Sequence, residues 1–125
     1  MKVAGKHYRT IGPCDGGSAV EVIDQTRLPH EFVHVRLRTL EDAVAAIRDM
    51  IVRGAPLIGA TGAYGMVLAL RAESSDAAMN AAADRLKAAR PTAVNLRWGV
   101  DSIVSTCVGI APSERPAFAA QRAAS

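Results

Sequence analysis

Apolar positions change their period near residue 39, and the change divides the chain into two kinds of element. Val33-His34-Val35-Arg36-Leu37-Arg38 alternates apolar and polar residues, the period of a strand with one buried face. Upstream, Val20, Val22 and Ile23 form a short β-prone run. Gly12-Pro13 and Asp15-Gly16-Gly17 precede it, and Asp24-Gln25-Thr26 and Leu28-Pro29 follow it. Glycine, proline and aspartate favour turns for steric and local hydrogen-bonding reasons. Residues 1–38 are therefore expected to form a small antiparallel β unit, a hairpin or meander with 33–38 as its third strand.

From Thr39 onward the spacing becomes helical. Leu40, Ala43, Val44, Ile47, Met50 and Ile51 recur three and four residues apart, with Thr39 placed as an N-cap and Glu41 and Asp42 in the first turn. This predicts a helix ending near Arg53-Gly54, where glycine suits a left-handed C′ position and Pro56 cannot continue the ladder. A second helix is expected from Ala55-Pro56 to about Arg71. A third, capped by Ser74 or Ser75, should run from Asp76 to about Ala89 and stop before Pro91. A fourth, from Thr92 or Ala93, carries Leu96, Val100, Ile103, Val104, Cys107 and Val108 and is expected to reach Pro112. Beyond Ser113 the chain is alanine-rich, with Phe118 its large apolar residue, and 113–125 reads as an incomplete or frayed helix. The predicted class is α+β: a β unit (1–38) followed by a helical bundle (39–112) and that last segment, with no internal repeat.

Composition narrows the picture. Of 125 residues, 50% are hydrophobic but only 4% aromatic, which points to helices packed closely through small side chains. Between Gly54 and Leu70 there is no charged residue, yet the stretch carries four glycines and Pro56, a composition for a buried helix rather than a membrane span. Fifteen Lys and Arg against twelve Asp and Glu leave a charge of +3, spread along the chain without interleaved aromatics, so a nucleic-acid partner is not expected. The polar start, Met1 to His7, does not resemble a secretory signal, and a cytoplasmic location is expected. Cys14 and Cys107 are isolated and predict neither a metal cage nor a disulfide.

The residues with the clearest chemical potential lie at helix junctions. In Arg53-Gly54-Ala55-Pro56-Leu57-Ile58-Gly59-Ala60, a glycine beside a helix N-terminus lets backbone N–H groups approach an anion, and the helix dipole and an adjacent guanidinium favour negative charge there. A phosphate suits this geometry. The plainer reading makes Arg53 a charge against the dipole of the preceding helix and Gly54 that helix's C′ residue. Arg90-Pro91-Thr92-Ala93-Val94-Asn95-Leu96 places a second arginine beside a second break, where two guanidinium groups could converge on one phosphate. Trp98 reads as a core or interface anchor. His7, His30 and His34 have no carboxylate at a suggestive spacing and read as solvated or structural.

Three segments, Asp24-Gln25-Thr26-Arg27-Leu28-Pro29, the run from Ile47 through Arg53-Gly54-Ala55-Pro56 to Gly59, and Arg90-Pro91-Thr92-Ala93-Val94-Asn95-Leu96, resemble in this order the methylthioribose-1-phosphate isomerases. The resemblance extends from about Met1 to Asp101. It implies an aldose to ketose isomerisation in methionine salvage, without a metal or redox cofactor, in a cytoplasmic homodimer. It also implies substrate contacts from Arg53, Gly54, Ala55 and Arg90. The family's catalytic cysteine and aspartate lie in a larger Rossmann-like domain that this chain does not include. No catalytic residue is therefore expected here, and the chain alone should be inactive. A protein-interaction module of the wider initiation-factor 2B-like superfamily and a ribose-1,5-bisphosphate isomerase are the alternatives.

Overall fold

The computed structural model describes residues 2–3, 6–7, 11–14, 19–23, 34–49, 51–52 and 54–124. The β unit has two parts. Strands β1 (Lys2–Val3) and β2 (Lys6–His7) pair as a minimal antiparallel ladder. Strands β3 (Ile11–Cys14), β4 (Ala19–Ile23) and β5 (His34–Leu37) form an antiparallel sheet in the order β3-β4-β5, with Val20 opposite Leu37 and Val22 opposite Val35. Alternation puts Val20, Val22 and Leu37 into the core while Glu21 and Arg36 pair on the other face. The expected three-stranded meander is found, but Gly12 and Pro13, read as turn residues, lie inside its first strand, paired with Glu21 and Val20.

Helix α1 (Leu40–Arg48) begins in a reciprocal capping box. The Asp42 N–H donates to Thr39 Oγ1 at 3.1 Å, and the Asp42 carboxylate accepts from the Thr39 N–H at 3.3 Å. The helix stops at Arg48 instead of near Arg53-Gly54. At 100° per residue, a continued helix would turn Val52 to the side opposite Ala43, Val44 and Ile47. Ending the helix early lets the chain bend, so that Val52 drops fully into the core and its N–H returns to the Ala46 carbonyl. Hydrophobic burial thus overrides the helical spacing of Ile51.

Helix α2 (Ala55–Ala72) is the centre of the bundle, and α1, α3 (Asp76–Ala89), α4 (Val94–Cys107) and α5 (Arg115–Ala124) all pack on it. The absence of charge along it as far as Leu70 follows from this position, and the charged Arg71 comes only in its last, exposed turn. The hydroxyl of Thr61, fully buried, is satisfied by the Leu57 carbonyl at 2.7 Å within its own helix. Small residues set the spacing to α4: a Cβ added at Gly99 would lie 2.2 Å from the Gly59 carbonyl oxygen, and one at Gly59 2.8 Å from that of Asn95. The two backbones touch without side chains between them. No helix among the described residues is long and apolar enough to cross a membrane.

The other helices follow their caps. Ser75 caps α3 by accepting from the Ala78 N–H at 3.2 Å. Helix α4 ends at Cys107, short of Pro112, and Val108 is exposed instead of joining the apolar stripe. Arg115 supplies the reason. Its guanidinium, in a residue only 3% exposed, donates to the Cys107 and Ile110 carbonyls at 3.1 Å each and to the Ser74 carbonyl at 2.8 Å, and pairs with Asp76. Carbonyls that a longer α4 would have bonded internally are taken by this side chain. A 3-10 turn (Pro112–Glu114) leads into α5, which is anchored by Arg115 and the buried Ala119, while Phe118 stays partly exposed.

Two stability outcomes follow. Replacing a mid-helix glycine by alanine normally gains about 1 kcal/mol of helix propensity, but the oxygen facing Gly99 forces α2 and α4 apart. Gly99→Ala should therefore destabilise by about 2 kcal/mol or more in urea titration, and Gly109→Ala, whose Cβ meets nothing within 4 Å, should change stability little. Arg115→Ala should cost about 2 kcal/mol, because the part-buried Ile110 and Ser74 carbonyls lose this donor while the Cys107 carbonyl keeps only the Ile110 N–H. Asp76→Asn should cost under about 1 kcal/mol because Asp76 is exposed.

Candidate functional site

Helix α2 begins without a side-chain cap. Gly54 is its N-cap residue, at φ +92°, a left-handed conformation that strains any L side chain, and its carbonyl accepts from the Ile58 N–H at 3.0 Å. Because α1 has already ended at Arg48, Gly54 is not the C′ residue of that helix; it belongs to the start of the next. A Cβ here would meet no atom within 4 Å, so the demand for glycine comes from the backbone angle and the space over it is open. Pro56 in the first turn has no N–H to satisfy, so the start of α2, which carries the positive end of the helix dipole, stands without a side-chain cap.

Arg90 is the C-cap residue of α3, half-buried, and its carbonyl accepts from the Ala93 N–H at 3.0 Å, closing the tight turn into α4. Among the described residues its guanidinium has no hydrogen-bond or ion-pair partner. The α2–α4 crossing relates it to Gly54. Gly54 precedes Gly59 by five positions, and Arg90 precedes Asn95 by five, and Gly59 and Asn95 touch. At 1.5 Å per residue the α2 start lies about 8 Å along its axis from that contact, and α4 starts at it. The two helix N-termini therefore lie near one crossing. Arg53 falls outside the described residues, as does His30, and nothing is described of the side chains of Ala55, Cys14, His7 or His34.

Beside this crossing runs a groove of about 360 Å³, with Pro56, Gly59, Ala60 and Ala63 of α2 on one side, Asn95, Trp98, Gly99 and Ser102 of α4 on another, and Arg122 and Ala123 of α5 closing it. Trp98 is 67% exposed. A core role for it is excluded, and the signal available in the sequence was its position opposite Leu96, Val100 and Ile103 on the helical wheel. The groove itself, built from three helices, had no sequence signature. Among the described residues no cluster of His, Cys, Asp and Glu has the makings of a metal site.

Cys107 is fully buried under α5, and burial pushes its thiol pKa up, with the nearby Arg115 charge pulling weakly the other way. It is a packing residue with no route to a ligand. Its shift has a signed consequence. The thiol of the unfolded chain ionises near its ordinary value of about 8.5, while the folded thiol holds its proton to higher pH. The contribution is flat below that value, and stability falls as pH rises past it because the unfolded state releases a proton that the native state keeps. The measured loss of stability above about pH 8.5 should be shallower in Cys107→Ala, and in the native protein Cys107 should resist a thiol reagent until the chain is unfolded.

An antiparallel β meander followed by a bundle wrapped on a central helix that carries no charge before Arg71, with two helix starts near one crossing beside an open groove, defines the structural class. The chain belongs to the Initiation factor 2 subunit family, whose model matches residues 51–120. It is 55% identical over 124 residues to the methylthioribose-1-phosphate isomerase of Paramagnetospirillum magneticum, a match covering 99% of this chain and 34% of that protein, and it corresponds to the N-terminal portion. The chain thus spans about a third of the length of the curated relatives it matches. Its fold is similar to part of the translation initiation factor eIF-2B subunit delta from A. fulgidus (TM-score 0.85, 34% identity, covering 94% of this chain and 36% of that one). The 5-methylthioribose 1-phosphate isomerase from Pyrococcus horikoshii is similar as well (TM-score 0.82, 31% identity, 95% and 35% covered).

Proposed function

We propose that this chain is the phosphate-gripping part of a methylthioribose-1-phosphate isomerase, the enzyme that interconverts methylthioribose 1-phosphate and methylthioribulose 1-phosphate in methionine salvage, and that it does not turn the sugar over alone. The observation that carries the reading is the uncapped start of α2 at Gly54, held at positive φ with open space above it. Main-chain N–H groups there, with the helix dipole, suit the phosphate dianion, which Arg53 and Arg90 would hold through paired guanidinium hydrogen bonds. Ala55 contributes its backbone only. The buried, protonated Cys107 is poorly suited to abstract or deliver a proton, and the resemblance to the isomerases implies that the catalytic cysteine and aspartate lie in the part of those relatives that this chain does not span. The substrate is a sugar phosphate, the location cytoplasmic, and the assembled enzyme a homodimer.

A second reading, a protein-interaction module, draws on the likeness to the initiation factor subunit. The isomerase reading is favoured because the curated isomerases reach 55% identity over nearly the whole chain, against 34% for that subunit. It competes also with a ribose-1,5-bisphosphate isomerase, which would need a second cationic site for its second phosphate, whereas a methylthio group needs an apolar surface. Calorimetric titration of this chain with methylthioribose 1-phosphate should show weak binding. Arg53→Ala should weaken it about tenfold or more, and Arg53→Lys should restore little, because a lysine ammonium lacks the planar fork. Arg90→Ala should act in the same direction. No ketose should form in an isomerisation assay. Turnover at an enzymatic rate would remove the claim that the catalytic groups lie elsewhere, and ester binding unchanged in both alanine variants would remove the phosphate grip.

A further inference from the structure

Asn95 is held at a fixed place over the first turns of α2. Its carbonyl and Cβ lie against Gly59, at the point where the two backbones touch. Its side chain is exposed and lines the groove that begins at Pro56, in the first turn of α2. Three positions separate Pro56 from Gly59, so the Asn95 contact lies about 4.5 Å beyond Pro56 along the helix axis. Three groove residues carry a side-chain amide, hydroxyl or guanidinium: Asn95, Ser102 and Arg122. The Arg122 Nε donates to Ser102 Oγ at 2.8 Å, whereas the Asn95 amide has no hydrogen-bond partner among the described residues. We infer that the Asn95 side chain hydrogen-bonds the sugar hydroxyls of the phosphate ester, and so makes this part of the protein prefer a sugar phosphate to a bare one. The inference rests on the phosphate grip at Gly54 and adds to it a contact with the sugar.

Hydrogen-bonding capacity selects this residue. Main-chain N–H and guanidinium groups donate and cannot accept, which suits the oxygens of a phosphate. A sugar hydroxyl donates as well as accepts, so a grip made of donors alone leaves its proton without an acceptor, at a cost wherever water is excluded. Asn95 supplies both, an acceptor at Oδ1 and donors at Nδ2. Position selects it too. A phosphate seated on the first turn of α2 leaves its ester substituent pointing away from the helix start, and the groove that leads from Pro56 past Asn95 has a volume of about 360 Å³, within the range of small-molecule sites. The amide has no competing duty in starting α4, whose N-cap residue is Ala93 and whose first turn has no side-chain cap.

The test titrates the 125-residue chain with two esters by calorimetry: methylthioribose 1-phosphate, and methyl phosphate, whose carbon carries no hydroxyl. Each is measured on the natural sequence, on Asn95→Ala and on Asn95→Leu, which keeps the bulk of the side chain and removes both hydrogen-bonding groups. Both substitutions retain the Cβ that rests on Gly59 and fall at an exposed position, so the fold is kept. Both variants should bind the sugar ester about five- to tenfold more weakly, the loss of one hydrogen-bonded contact, and should bind methyl phosphate as the natural chain does. Unchanged binding of the sugar ester overturns the inference. Equal weakening of both esters also overturns it, because Asn95 then acts on the phosphate or on the fold, and so does recovery in Asn95→Leu alone, because bulk was then what alanine removed. The phosphate grip fails by a different result: the natural chain takes up neither ester, and the sugar contact falls with it, or Arg53→Ala leaves methyl phosphate binding unchanged.

Discussion

Direct backbone contact between α2 and α4 sets the geometry on which the rest of this structure depends. Where Gly99 faces the Gly59 carbonyl and Gly59 faces that of Asn95, no side chain separates the helices, and only glycine permits the approach. That closeness has two results. It lets a small, aromatic-poor protein fill its core with alanine, valine and leucine. It also draws the starts of the two helices together, so that the Gly54 turn and the Arg90 turn come near one crossing instead of lying at opposite ends of the bundle.

The second constraint is polar. Arg115, buried by its own helix, spends its donors on the carbonyls of Cys107, Ile110 and Ser74 and so joins the end of α4, the start of α5 and the entry to α3. A buried guanidinium is costly unless fully bonded, and here every donor group finds an acceptor. Alanine-rich α5 has little apolar area of its own. This clip is what fixes it against α2, and by fixing it closes one wall of the groove beside Trp98.

The helix start at Gly54 offers positive potential and a backbone free of side-chain caps, while the groove and the exposed tryptophan offer apolar surface a short distance away. The chain belongs to the Initiation factor 2 subunit family and spans about a third of the length of its isomerase relatives. Cys107, whose side chain is described, is sealed in the core.

Local periodicity and turn chemistry determined the meander, the order of the helices, the Thr39 and Ser75 caps and the buried character of α2, because each depends on neighbours within a few positions. The glycine and arginine junctions were legible for the same reason: Gly54 and Arg90 sit at breaks that proline and glycine enforce. What the sequence could not decide was where burial would override spacing. Val52 entering the core ended α1 early, and Arg115 reaching back to the Cys107 and Ile110 carbonyls ended α4 early. Those outcomes, the exposure of Trp98 and the groove beside it are set by contacts between residues far apart in the chain, and such contacts exist only once α2 has been surrounded.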